Sequence, residues 1–222
     1  MKTWLAWSSG KDSAWSLHVL RRAGEVEVVG LLTTVNEAFD RVAMHGVRRS
    51  LLQAQADAAG LPLLVVPLPH PCSNEAYEEA MSGAVARARG ESVEAFAFGD
   101  LFLEDIRRYR EERLQGTGLR PLFPLWGRPT AALAAEMIEG GLRARVVTLD
   151  PRKLPARLAG REFDRDFLDA LPAGVDPCGE NGEFHTFTWA GPMFSRPLAL
   201  RAGEVVERDG FVFADLLPRV AA

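Results

Sequence analysis

The residues Ser8-Ser9-Gly10-Lys11-Asp12-Ser13 bring hydroxyls, a cation and a carboxylate together in six consecutive positions. They follow the apolar run Trp4 to Trp7 and precede helical spacing at Ala14, Leu17, Val19 and Leu20, which places them where a strand gives way to a helix. Unpaired backbone N–H groups and the positive end of the helix dipole converge there, so a phosphate is the natural ligand. Ser8, Ser9 and Gly10 let the backbone come close, Ser13 adds a hydroxyl, Lys11 adds charge, and Asp12 can hold Mg²⁺ against phosphate oxygens. A Walker loop does not fit, because its Lys precedes Ser or Thr and its earlier Gly falls where this chain has Leu5. A dinucleotide fingerprint is also missing after the first strand. The competing reading is an ordinary helix-capping turn, which uses the same residue types.

A second dense run is Cys178-Gly179-Glu180-Asn181-Gly182-Glu183-Phe184-His185-Thr186. Two carboxylates, an amide, an imidazole and a hydroxyl in one glycine-flanked turn cost free energy to bury and are useful at a site; a solvated Asn-Gly turn is the plain alternative. Gly99 and Asp100, with Asp105 and Arg107, stand just past an apolar strand, where helix capping and surface pairing compete with ligand binding. His45 stands as a lone histidine with a structural role equally open. Cys178 reads as packing rather than as a nucleophile. Lys153 and Arg157 read as solvated charges, and Trp4, Trp7 and Trp15 as core or adenine-side packing.

Short, nearly continuous apolar strands must position these groups. Trp4 to Trp7, Val26 to Thr33, Leu63 to Val66 and Ala95 to Phe98 alternate with helices at 14–20, 47–59, 75–89 and 103–114, a βαβαβαβα order that predicts a Rossmann-like parallel sheet covered on both faces. Ligands of such sheets bind beyond the carboxyl ends of the strands. After Trp126 come a helix at 130–139, a strand at 145–149, short helices interrupted by prolines and two expected hairpins, at Ala202-Gly203 and Asp209-Gly210. The division is therefore a nucleotide-binding α/β domain over 1–125 and a smaller α+β domain over 126–222. Twenty-six basic and 30 acidic residues leave a net charge of −4, which argues against a broad nucleic-acid footprint. Two distant cysteines and no apolar segment of spanning length predict a cytoplasmic protein without disulfides or membrane anchor. Self-association is left open.

The first loop resembles the SGGxDS loop of the PP-loop ATP pyrophosphatases, with Ser9 in place of the second glycine. Gly99 to Arg107 resembles the GD(I/L)…D-x-R segment of the branch that contains diphthine-ammonia ligase, Pro124-Leu125-Trp126 its PLW element, and Gly179 to Thr186 its GENGEFHT signature. The resemblance runs from residue 3 to about 195. It implies a PP-loop fold that binds ATP and Mg²⁺, with Ser8, Ser9, Gly10, Lys11, Asp12, Ser13, His45, Gly99 and Asp100 around the nucleotide and Asp12 on the metal. It further implies adenylation of a substrate carboxylate with release of pyrophosphate, then amide formation with ammonia and release of AMP. Lys11, Glu180, Asn181, Glu183 and His185 are the implied catalytic groups. Two alternatives remain: an adenylating enzyme that modifies tRNA or a metabolite with another nucleophile, and an ATP-binding sensor without chemistry.

Overall fold

The computed structural model describes residues 1–42 and 45–219. Its first part runs β1 (Lys2–Ala6), α1 (Lys11–Ala23), β2 (Glu27–Asn36), β3 (Arg41–Val42), α2 (Arg49–Ala59), β4 (Leu63–Leu68), α3 (Asn74–Gly90), β5 (Ala95–Ala97), α4 (Glu104–Leu114) and β6 (Arg120–Leu122). Strands β4, β2, β1, β5 and β6 lie side by side in that order with every pair parallel. The fold class is the Rossmann-like one that the alternation predicts. Period-two geometry sends neighbouring side chains to opposite faces: Trp4 stacks on Phe96 on the side of α3 and α4, while Leu5 packs among residues of α1 and α2. Left-handed glycines, Gly24 and Gly60, stop α1 and α2.

Two strands escape the sequence pattern. β6 is hidden by Pro121, which removes a donor, and its register comes from Ala95 to Ala97 beside it. β3 pairs antiparallel with Val35 and Asn36. The other edge of those two residues already pairs with Pro67 and Leu68, so β3 lies beyond the end of β1, and β2 must run longer than its β-branched stretch suggests.

The second part contains α5 (Thr130–Glu139), β7 (Arg143–Leu149), α6 (Arg165–Asp169), β8 (Phe184–Ala190), β9 (Leu200–Arg208) and β10 (Phe211–Pro218). Its strands form an antiparallel sheet in the order β8, β7, β10, β9. The hairpin expected at Asp209-Gly210 forms, with φ of 51° and 78° at its two turn residues. The one expected at Ala202-Gly203 does not, because β9 continues through it. A Cβ at Gly203 would lie 3.0 Å from the Cβ of Asp215, and the register shifts between Ala214 and Leu216. The glycine therefore permits close approach at an irregularity of the ladder, not a reversal of the chain. One apolar cluster continues from Leu5, Leu17 and Leu51 through Leu133 to Phe184, Phe187 and Val212, so the two sheets share a core. No helix among the described residues is long and apolar enough to cross a membrane.

Candidate active site

The chain leaves β1 and reverses through Ser8 to Gly10 before α1 begins. Ser9 takes a left-handed φ of 73°. Its carbonyl accepts from the Thr188 N–H at 3.0 Å and from Gln55 Nε2 at 2.9 Å, and those two bonds hold the unusual conformation in place. Gly10 is required by crowding, since a Cβ there would meet His45 Cε1 at 2.9 Å and the Thr186 carbonyl oxygen at 3.2 Å. Gly10 is the N-cap of α1 and has no side chain of its own to cap the helix. Ser8 Oγ and Ser13 Oγ face each other at 3.2 Å across this loop. Behind it Gly99 packs so closely that a Cβ would stand 3.1 Å from the Asp12 carbonyl carbon and from Ser13 N.

The second loop closes over the first. Lys11 N–H donates to Thr186 Oγ1 at 3.0 Å, and Lys11 Nζ donates to the Cys178 carbonyl and to Asp12 Oδ2, the latter at 2.9 Å. Only 2% exposed, the ammonium also lies 5.6 Å and 5.4 Å from the ring centres of Phe163 and Phe184. Burial, the largest influence, works against its charge, but Asp12, Cys178 and Glu180 together outweigh it and raise its pKa. Asp12 Oδ1 is buried without a hydrogen-bond partner among the described residues. From the loop, Glu180 Oε1 accepts the Leu101 N–H at 2.7 Å. The resulting cleft, 650 Å³, is walled by Ser8, Asp12, Asp100, Glu180, His185 and the ends of β1 and β2. A hollow of 710 Å³ at the end of α4 is lined by Arg108, Glu111, Glu112 and their neighbours and contains neither loop.

A family model described as the diphthamide synthase N-terminal domain matches residues 1–121, and one described as the diphthamide synthase C-terminal domain matches residues 129–213. The chain belongs to the diphthamide synthase family. Among curated relatives, the diphthine–ammonia ligase of Bos taurus is 28% identical over 93% of this chain and 85% of its own length. That of Homo sapiens is 27% identical over the same shares, and that of Danio rerio is 30% identical over 93% and 89%. Membership makes the chain an ATP-dependent ligase of the amide-forming kind.

Within this family member the implied site residues separate by position. Ser8, Lys11, Asp12, Ser13, His45, Gly99, Asp100, Glu180 and His185 line the cleft, and Ser9 and Gly10 form the turn beneath it. Asn181 and Glu183 do not reach its wall. Asn181 Nδ2 donates to Glu183 Oε1 at 3.2 Å, the same oxygen accepts the Asp176 N–H, and Glu183 is 3% exposed. They hold the loop's shape, as does Lys153, which donates to the Asn181 carbonyl at 2.7 Å. Arg107 turns to Phe123, Trp126 and Glu111 instead. Trp4, Trp7 and Trp15 are buried, Trp7 also bordering the cleft and Trp15 donating to Glu136.

Burial sets the protonation of the wall. It pushes the Glu180 carboxyl up to about 7 against the pull of the Leu101 N–H, and it raises Asp100 against Arg110. It pushes the Cys178 thiol up to about 12, which leaves the sulfur a packed thiol beside the Thr130 carbonyl. His185 falls to about 4, first by burial and then by Lys11. His45 also falls well below its usual range, by burial and by His185, whose ring centre lies 4.6 Å away. His45 Nδ1 lies 3.1 Å from the Thr186 carbonyl, an acceptor only, so Nδ1 carries the proton and Nε2 the lone pair. Sequence reasoning missed Gln55, Arg110 and Asp176. Asp176 Oδ2 accepts the Cys178 and Glu180 N–H groups, yet its only signal was a carboxylate two residues before the motif.

Proposed function

We propose that the cleft binds ATP with its polyphosphate on the first turn of α1, adenylates a substrate carboxylate and then forms an amide with ammonia. One observation carries this reading: the phosphate-loop turn and the Gly179 to Thr186 loop, far apart in sequence, meet through the Lys11 N–H bond to Thr186 and enclose one cleft. The curated relatives are named diphthine–ammonia ligases, which supports ammonia as nucleophile and a diphthine-like carboxylate as acceptor.

Ser8, Ser13 and the α1 amides would bind and orient the phosphates so that the α-phosphorus faces the acceptor carboxylate. Lys11, held by Asp12 and the Cys178 carbonyl, adds fixed positive charge close to the departing pyrophosphate. The unpartnered Asp12 Oδ1 fits a hard cation, and Asp12 would hold Mg²⁺ there; the ion would neutralise phosphate charge. Glu180, with its pKa near neutrality, accepts the proton shed as ammonia forms the C–N bond and AMP leaves. His185 and His45 stay neutral and orient the acceptor, while Asn181 and Glu183 keep Glu180 and His185 in place. We divide the chain near residue 125 into a nucleotide side and an acceptor side.

The products test the bond that breaks. With ATP, Mg²⁺, ammonium and an acceptor, mass spectrometry should find AMP and pyrophosphate, and ADP with inorganic phosphate as the sole nucleotide products would refute the assignment.

A further inference from the structure

Among the described residues, two lysine or arginine side chains line the cleft, Lys11 and Arg110. Lys11 is committed, since it is 2% exposed and donates to Asp12 and to the Cys178 carbonyl. Arg110 is not. It reaches the cleft from α4, with its guanidinium carbon 4.9 Å from the ring centre of Phe98. Its nearest carboxylate is Asp100, 3.6 Å from Nε to Oδ2, which is too long for a hydrogen bond. Both of those atoms are buried, and neither has a hydrogen-bond partner among the described residues. A guanidinium carries five donors, and Arg110 uses none of them in a hydrogen bond within the described residues. A planar cation stacked on an aromatic face, with its fork of Nη donors uncommitted, is suited to receive an oxyanion.

Its neighbours decide which oxyanion. Asp100 precedes Leu101, whose N–H holds Glu180 Oε1 at 2.7 Å, so Arg110, Asp100 and Glu180 follow one another along one wall of the cleft. In the reading above, the phosphates rest on the α1 turn beside Lys11, and Glu180 takes the proton that ammonia sheds. The carboxyl carbon that ammonia attacks must then lie at Glu180, which brings the acceptor's carboxylate along the wall that carries Arg110. That carboxylate enters a cleft already lined by Asp12, Asp100 and Glu180. Like charges repel there, and an uncommitted guanidinium offsets the repulsion.

We infer that Arg110 is the acceptor-binding residue of the cleft: its Nη groups bind the acceptor's carboxylate and present one oxygen to the α-phosphorus, while Phe98 and Asp100 hold the guanidinium in place. This rests on the adenylation reading above. A phosphate of the nucleotide is the other oxyanion that such a fork fits, and the two sources are separable by experiment.

Acetate is the carboxylate probe and acetamide its neutral counterpart, each titrated by saturation-transfer NMR onto the full chain loaded with α,β-methylene-ATP and Mg²⁺. The Arg110 Nε–H signal of protein labelled with ¹⁵N-arginine, assigned by its loss in Arg110→Lys, is followed in the same titration. Acetate should bind saturably, about tenfold tighter than acetamide or more, and should move the Arg110 signal along the same isotherm. Arg110→Gln should weaken acetate about fivefold or more, while α,β-methylene-ATP affinity stays within about twofold. If Arg110→Gln does not fold, the wild-type titration alone decides. Equal binding of the two probes, or an Arg110 signal that acetate leaves in place, would overturn the assignment. So would acetate that moves the signal only in the absence of nucleotide, because Arg110 then holds a phosphate. AMP and pyrophosphate formation is read separately, so acetate bound at Arg110 in a chain that forms no AMP with any acid sinks the adenylation reading alone.

Discussion

Ser9 holds a backbone conformation that L-residues avoid, and its buried hydroxyl has no partner among the described residues. A left-handed non-glycine residue costs roughly 1–2 kcal/mol, and glycine's greater freedom in the unfolded chain returns about half of that. Ser9→Gly should therefore stabilise the protein by about 0.5–1 kcal/mol in urea unfolding, whereas Ser9→Ala keeps the strain; a less stable glycine variant would show that the turn is not strained. Glu180 makes the second prediction at this scale. Its folded pKa, raised from 4.5 to about 7, means that the folded chain keeps a proton the unfolded chain releases. Its contribution to stability is thus present in acid and is lost as pH rises through that window. His45 and His185, with lowered values, act in the opposite sense and weaken the fold as pH falls below about 6.5. Both histidines are common to wild type and Glu180→Gln, so their effects cancel in a comparison. Between pH 5 and pH 8 the wild type should lose stability relative to Glu180→Gln by on the order of 1 kcal/mol, reduced from the full shift by partial exposure. Parallel pH curves would mean that Glu180 ionises as an ordinary carboxylate.

At the scale of elements, the site depends on how tightly one segment's backbone meets another's. Gly99, after β5, presses on the first turn of α1, and a methyl group there would strike main-chain atoms of Asp12 and Ser13 at 3.1 Å. A rigid helical turn cannot yield as a flexible side chain does. Gly99→Ala should push that turn away and weaken ATP binding about tenfold, or about 1.4 kcal/mol, measured by calorimetric titration; unchanged affinity would show that the turn adjusts freely. This contact also shows which parts were legible in the sequence. The parallel strands were readable because their apolar runs alternate with helices, and both loops because their residue types are dense and local. β3 and β6 were not, since one is two residues long and the other carries Pro121. Gly203 misled because a glycine that admits a neighbouring strand looks, in one dimension, like one that turns the chain. Nor does polarity say which way a side chain faces, and Asn181 turns to donate to Glu183 within its own loop.

Across the whole molecule, the two sheets differ in topology but not in core, since one apolar cluster passes from the parallel sheet's helices to the antiparallel sheet without a break. Gln55 fastens the same junction. Fully buried on α2, it accepts the Trp7 indole N–H at 2.9 Å and donates to the Ser9 carbonyl at 2.9 Å and the Thr188 carbonyl at 2.6 Å, tying helix, phosphate loop and β8 together. Nothing in its sequence context announces that role, because it reads as an ordinary polar position of an amphipathic helix. A shared core predicts that the chain unfolds as one unit, with a single calorimetric transition whose enthalpy equals the van't Hoff value. Gln55→Ala strips partners from a buried indole N–H and from two carbonyls, at a cost of about 2–4 kcal/mol. It should lower the one transition by several degrees without splitting it, and it should weaken ATP binding because the Ser9 turn loses a restraint. Two resolved transitions in the wild type would mean that each sheet carries enough core to stand alone, and the cleft would then lie between independent domains instead of inside one cooperative structure.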